Sequence, residues 1–137
     1  MKPFQKAFFI PCKMKNLALF LGSIFAATSV AIGAFGAHAW KPYLMNINRL
    51  ETFETAAQYQ MYGGLVLILL GVLQIIRPSK MLKIASYFHI TGSIIFPGSL
   101  YLICISQQLF WGAIAPIGGL AFILGFALMA FDTLKKD

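Results

Sequence analysis

Charge is scarce in this chain, and acidic charge most of all. Only four Asp and Glu residues stand among 137, and charged residues of either sign make up 11% of the total, against about 25% in ordinary soluble domains. A soluble protein of this size needs a polar shell, and the chain lacks the residues to make one. Lipid removes that need. Cysteine is equally rare: Cys12 lies in the N-terminal tail and Cys104 inside an apolar run. Two thiols cannot staple a disulfide scaffold, and the topology derived below puts them on opposite sides of a bilayer, which excludes an intrachain bridge. No Cys/His cluster, Ser/His/Asp order or phosphate-cradling glycine loop is present. No metal, cofactor or catalytic constellation is therefore expected, and the chain is read as no enzyme.

What the chain does have is apolar length. Hydrophobic residues make up 59% of it. A helix needs about 20 mostly apolar residues to cross the hydrocarbon, and four segments qualify: Leu17 to Ala39, Tyr59 to Ile76, Ile84 to Ile105 and Phe110 to Phe131. The fold expected is all-α, an integral membrane four-helix bundle over residues 16–132. A basic tail (1–15) precedes it and a short tail (133–137) follows. Ala37-His38-Ala39 looks like the cleavage site of a signal peptide, but the apolar stretch before it is longer than the usual 7–15 residues, so a retained first helix is expected.

The connections are too short for anything but antiparallel neighbours. Lys and Arg then fix the orientation. Nine lie beside the termini and the second loop: Lys2, Lys6, Lys13, Lys15, Arg77, Lys80, Lys83, Lys135 and Lys136. Only Lys41 and Arg49 lie on the other side. Both termini are thus expected in the cytoplasm. The formal net charge of +7 is accounted for by this bias and by attraction to anionic lipid; no nucleic-acid partner is implied.

Helices in lipid associate by close backbone approach, so small residues at helical spacing mark their contacts. Gly22, Ala26, Ser29, Gly33 and Ala37 form such a stripe in the first span. Gly64 and Gly71 do so in the second, Ala85, Gly92 and Ser99 in the third, and Gly118, Ala121 and Gly125 in the fourth. Pro97 and Pro116 fall inside the third and fourth spans, where each removes a donor and can kink its helix. Asn48 and Glu51 have the spacing of a capping box, which predicts one helix running from Arg49 through the second span. Trp40 and Tyr43 suit the outer interface.

Polar groups within a membrane are expensive, so they are the first functional suspects. Glu54 and Gln58 are four apart, on one helical face near the outer interface, and His38 ends the first span on the same side. Together they form a candidate polar site at the outer face: a proton- or solute-binding group on one reading, a cap for helix ends on the other. His89 is placed near the inner side as an interfacial histidine. The two histidines differ in depth by roughly 20 Å from the helical rise, which excludes a shared haem or metal. No Asp or Glu lies inside any of the four runs, an obstacle to a proton-coupled exchanger.

The sequence also resembles a known family. Ile32-Gly33-Ala34-Phe35-Gly36-Ala37-His38 closes the first span. Phe53-Glu54-Thr55-Ala56-Ala57-Gln58-Tyr59-Gln60-Met61-Tyr62 opens the second. Gly98-Ser99-Leu100-Tyr101 lies in the third, and Pro116-Ile117-Gly118-Gly119-Leu120-Ala121-Phe122 in the fourth. In this order they resemble the bacterial YgdD-like family, domain of unknown function 423, over about Asn16 to Phe131. The resemblance implies a small multi-pass inner-membrane protein and no particular activity. Three positions depart from the family pattern: Gly63 stands where a histidine is usual, Pro97 for a serine and Ala115 for a threonine. The missing histidine puts in doubt any mechanism that pairs it with the His38 position.

The expectation is a non-enzymatic membrane protein that packs with lipid, with a second copy of itself or with a partner protein. A small oligomeric transporter or channel using His38, Glu54 and Gln58 stays open beside it, and more remotely a redox subunit.

Overall fold

The computed structural model describes residues 16–135, and all regular structure there is helical. The order is α1 (Leu17–Ala37), a short α2 (Lys41–Asn46), α3 (Leu50–Ile76), α4 (Lys80–Ser106), a 3-10 turn (Leu109–Ala113) and α5 (Ala115–Leu134). Among the described residues, four segments are long and apolar enough to cross a membrane: α1, α3, α4 and the stretch Leu109–Leu134. At 1.5 Å per residue the 21 residues of α1 rise about 31 Å. The 27 residues each of α3 and α4 rise about 40 Å. The first matches a hydrocarbon core of about 30 Å, and the other two extend beyond it.

The helices form a bundle in chain order: α1 packs on α3, α3 on α4, and α4 on α5, while α1 and α5 form no comparable pairing. Glycine sets the spacing. A Cβ placed on Gly64 would lie 2.7 Å from the Ala26 nitrogen, and one on Gly22 would lie 2.7 Å from the Gly64 oxygen. The two backbones therefore touch where any larger residue would part them. Along this seam Leu19 meets Gly71, Gly22 meets Gly64 and Phe53 fills the space above Gly36. Between them the Ser29 hydroxyl donates to the Ala57 carbonyl at 2.7 Å. Asn16 locks the near end: its side chain caps α1 at Leu19 N and donates to the Gly71 carbonyl at 2.7 Å.

Two apolar clusters close the ends. Leu44, Phe53 and Cys104 are buried at the α2 end, ringed by Ile32, Trp40, Tyr43, Leu50 and Tyr101. Trp40 stacks on Tyr43 with centroids 5.1 Å apart. Leu70, Leu82 and Ala85 form the cluster at the other end. Cys104 is a free, buried thiol; Cys12 lies outside the described residues.

Four expectations need correction. The capping box does not form: Asn48 takes a left-handed φ of 53°, and α3 starts at Leu50 after an Arg49 that makes no side-chain cap. Asn tolerates that conformation well, so the residue makes the turn instead of the cap. Pro116 does not interrupt its helix. The chain breaks at the 3-10 turn, and Pro116 falls in the first turn of α5, where its missing donor would be unpaired anyway. Pro97, by contrast, is inside α4. His89 is not a satisfied polar residue at a helix end: Lys80 and Lys83 belong to α4 itself, and His89 is fully buried in the bundle with its Nε2 unpartnered. Ala37 is exposed, and the α1 seam passes through Gly36 instead.

Candidate functional site

The structure does not join His38, Glu54 and Gln58 into one hydrogen-bonded group among the described residues. His38 follows the end of α1, while Glu54 and Gln58 lie on the exposed face of α3. The Gln58 amide donates to the Tyr62 hydroxyl one turn along, at 2.7 Å on the exposed surface.

The buried polar centre is built on Gln60, two residues further on and therefore on the opposite side of α3. Its amide donates to Thr28 Oγ1 at 2.7 Å and to the Phe25 carbonyl at 3.2 Å, and its carbonyl accepts from the Tyr101 hydroxyl at 2.8 Å. One side chain thus joins α1, α3 and α4. The register pointed to it: Gln60 stands one turn before Gly64 and one heptad after Phe53, both on the buried face.

A second polar row runs along α4. Ser79, Ser86 and Ser93 are one heptad apart, and His89 lies between the last two. Ser79 caps α4 and donates to Asp132 at 2.5 Å. Ser86 accepts from Gln74 at 2.6 Å and donates to the Leu82 carbonyl at 2.9 Å. His89 Nδ1 lies 2.9 Å from the Ala85 carbonyl, while His89 Nε2 and Ser93 Oγ are buried without a partner. A carbonyl only accepts, so Nδ1 must carry the proton, and in the neutral ring Nε2 is a bare acceptor.

Asp132 was missed because it follows the last apolar run, among the polar residues of the tail. It lies within α5, its side chain 3% exposed, and accepts from Arg77 at 2.5 Å. Its signal was position: an acid at the end of a span, beside a loop rich in Lys and Arg.

The remaining small residues sit as follows. A Cβ on Gly92 would touch Phe122 and the Gly118 carbonyl, and one on Gly118 would touch the Phe96 backbone. Gly125 is covered by the His89 ring. Gly33 has only the Ala57 methyl nearby, at 3.9 Å from such a Cβ. Ser99 is buried and donates back to the Phe96 carbonyl at 2.8 Å. No group of three or more His, Cys, Asp or Glu side chains is placed to hold a metal among the described residues.

Residues 32–119 match the family model described as "Protein of unknown function (DUF423)". The UPF0382 membrane protein of Staphylococcus haemolyticus is 39% identical over 120 residues, covering 88% of this chain and 97% of that one. Its counterpart in Staphylococcus aureus is 37% identical over the same length. The UPF0382 inner membrane protein YgdD of Escherichia coli is 34% identical over 116 residues, covering 82% of this chain and 88% of that one. No solved structure matches the chain. With the four apolar helices, the matches leave one assignment: the chain is a multi-pass membrane protein and belongs to the DUF423 family.

Proposed function

We propose that this is a non-enzymatic protein of the cytoplasmic membrane, with antiparallel spans and both termini inside, that packs against a second copy of itself through α1. The antiparallel order is supported by the seam, along which residues 19 to 36 of α1 meet residues 71 to 53 of α3 in reverse. The orientation is supported by the nine-to-two bias of Lys and Arg.

The observation that carries the self-packing is a second small-residue row. One stripe of α1 is spent on α3, through Gly22, Ser29 and Gly36. Ser23, Ala27 and Ala31, each four apart, remain on the uncovered face, flanked by exposed Phe20, Ile24 and Val30. A small-xxx-small row facing lipid lets another helix approach closely, whereas lipid alone has no need of it. The polar groups of the core are turned inward and mostly paired with one another, which suits a packing role better than chemistry on a dissolved substrate.

Cysteine crosslinking tests this. In a Cys12→Ser background, Ala27→Cys is expected to give a covalent dimer on oxidation in native membranes, while Leu120→Cys on the exposed face of α5 is not. Monomer alone from both, or equal dimer from both, contradicts the reading.

A further inference from the structure

Among the described residues, two buried side-chain polar atoms lack a partner, His89 Nε2 and Ser93 Oγ, and they lie beside an opening to lipid. A groove of about 370 Å³ runs between α3 and α5, walled by Tyr59, Tyr62, Gly63, Val66, Phe122 and Phe126. Its lining is almost wholly apolar. Behind that wall stand His89, fully buried, and Ser93, 4% exposed.

Both polar residues back directly onto the groove. A Cβ on Gly63 would fall on Ser93 Oγ and lie 3.2 Å from Phe122 Cζ. Ser93 thus faces the point where two wall residues meet. The His89 ring stands edge to face on Phe126 with centroids 4.7 Å apart, and 5.8 Å from Phe122. Phe122 and Phe126, which pack on the His89 ring, are themselves walls of the groove. Gly63 and Gly125 remove the side chains that would otherwise occupy these points.

Buried polar atoms are almost always paired, so two orphans one turn apart call for a partner. The chemistry of that partner is constrained. His89 Nδ1–H is fixed on the Ala85 carbonyl, so Nε2 needs a donor. Ser93 can accept or donate. The approach is lipid-lined, so the molecule must have an apolar body.

We infer that the α3–α5 groove binds a membrane-soluble alcohol or phenol, whose hydroxyl donates to His89 Nε2 and pairs with Ser93 while its apolar part lies between Tyr59, Val66 and Phe126. Entry requires the Phe122 ring to turn aside. Water is the other source of a hydroxyl donor, and the test separates the two.

The protein, with 15N-labelled histidine, is reconstituted in phosphatidylcholine nanodiscs and titrated with 1-dodecanol or, in parallel, with dodecane. His38→Gln identifies the His89 signals. Dodecanol is expected to move the Nε2 resonance saturably from the bare toward the hydrogen-bonded position, and dodecane to leave it unmoved. Ser93→Ala should weaken the dodecanol response roughly fivefold, the value of one modest net hydrogen bond. An Nε2 already hydrogen-bonded without alcohol and indifferent to it would mean that water holds the site, and overturns the proposal. An equal response to dodecane overturns it as well. An unchanged affinity in Ser93→Ala removes Ser93 from the site. The wild-type titrations decide the main point even if the variant does not fold.

Discussion

The Arg77 guanidinium donates to the Asp132 carboxylate at 2.5 Å, tying the loop after α3 to the last turns of α5. The partners are unequally buried: Asp132 is 3% exposed and Arg77 46%. Ser79, the cap of α4, holds the other carboxylate oxygen. Three helices are fastened at one point.

The unequal burial sets the order of two substitutions. Arg77→Ala leaves a buried carboxylate with Ser79 as its one remaining hydrogen-bond partner among the described residues, whereas Asp132→Asn leaves a guanidinium that turns to water. The first is expected to cost about 1–3 kcal/mol and the second less, since an unpaired buried charge is the expensive outcome. Unfolding by denaturing detergent, followed by circular dichroism, ranks them.

The glycine seam gives a second contrast. Gly64→Val drives side-chain atoms into the Ala26 backbone and is expected to destabilise by about 1–3 kcal/mol. Gly98→Ala meets nothing within 4 Å and is expected to be neutral or to gain up to about 1 kcal/mol from helix propensity. The same detergent titration reads both.

Gln58 and Gln60 separate the expected polar site from the observed one. Gln60→Leu removes the link among Thr28, Tyr101 and Phe25 and leaves the Tyr101 hydroxyl unpaired, for an expected loss of about 1–2 kcal/mol. Gln58→Leu touches only an exposed bond to Tyr62 and should stay within about 0.5 kcal/mol of the parent.

Topology is checked by fusion reporters. Green fluorescent protein at either terminus should fluoresce, as it does in the cytoplasm. Alkaline phosphatase inserted after Met45 should be active outside. The opposite pattern reverses the orientation drawn from Lys and Arg.

The spans were legible because a bilayer reads only length and polarity. Their limits were less so. Lys80 and Lys83 end an apolar run by composition, but a lysine stem reaches from a helix to the interface, so α4 takes them in and starts earlier than the run. Glu54 and Gln58 drew attention by being polar and four apart, yet spacing along one helix does not say which face is covered. That depends on α1 lying against Ala57 and Gly64, a long-range contact that places Gln60 inside and Gln58 outside. Likewise Gly22, Ala26, Ser29, Gly33 and Ala37 read as the small-residue stripe of α1, and nothing in their spacing singles out Ser23, Ala27 and Ala31. Only the packing of α3 against Gly22 reveals that second row as uncovered.

The mass of the intact particle tests the central claim most directly. Extracted in native-lipid nanodiscs and weighed by native mass spectrometry, the wild-type protein is expected to give two or more chains per particle, falling to one in Ala27→Leu. A single chain in the wild type, with lipid alone around it, would contradict self-packing through α1.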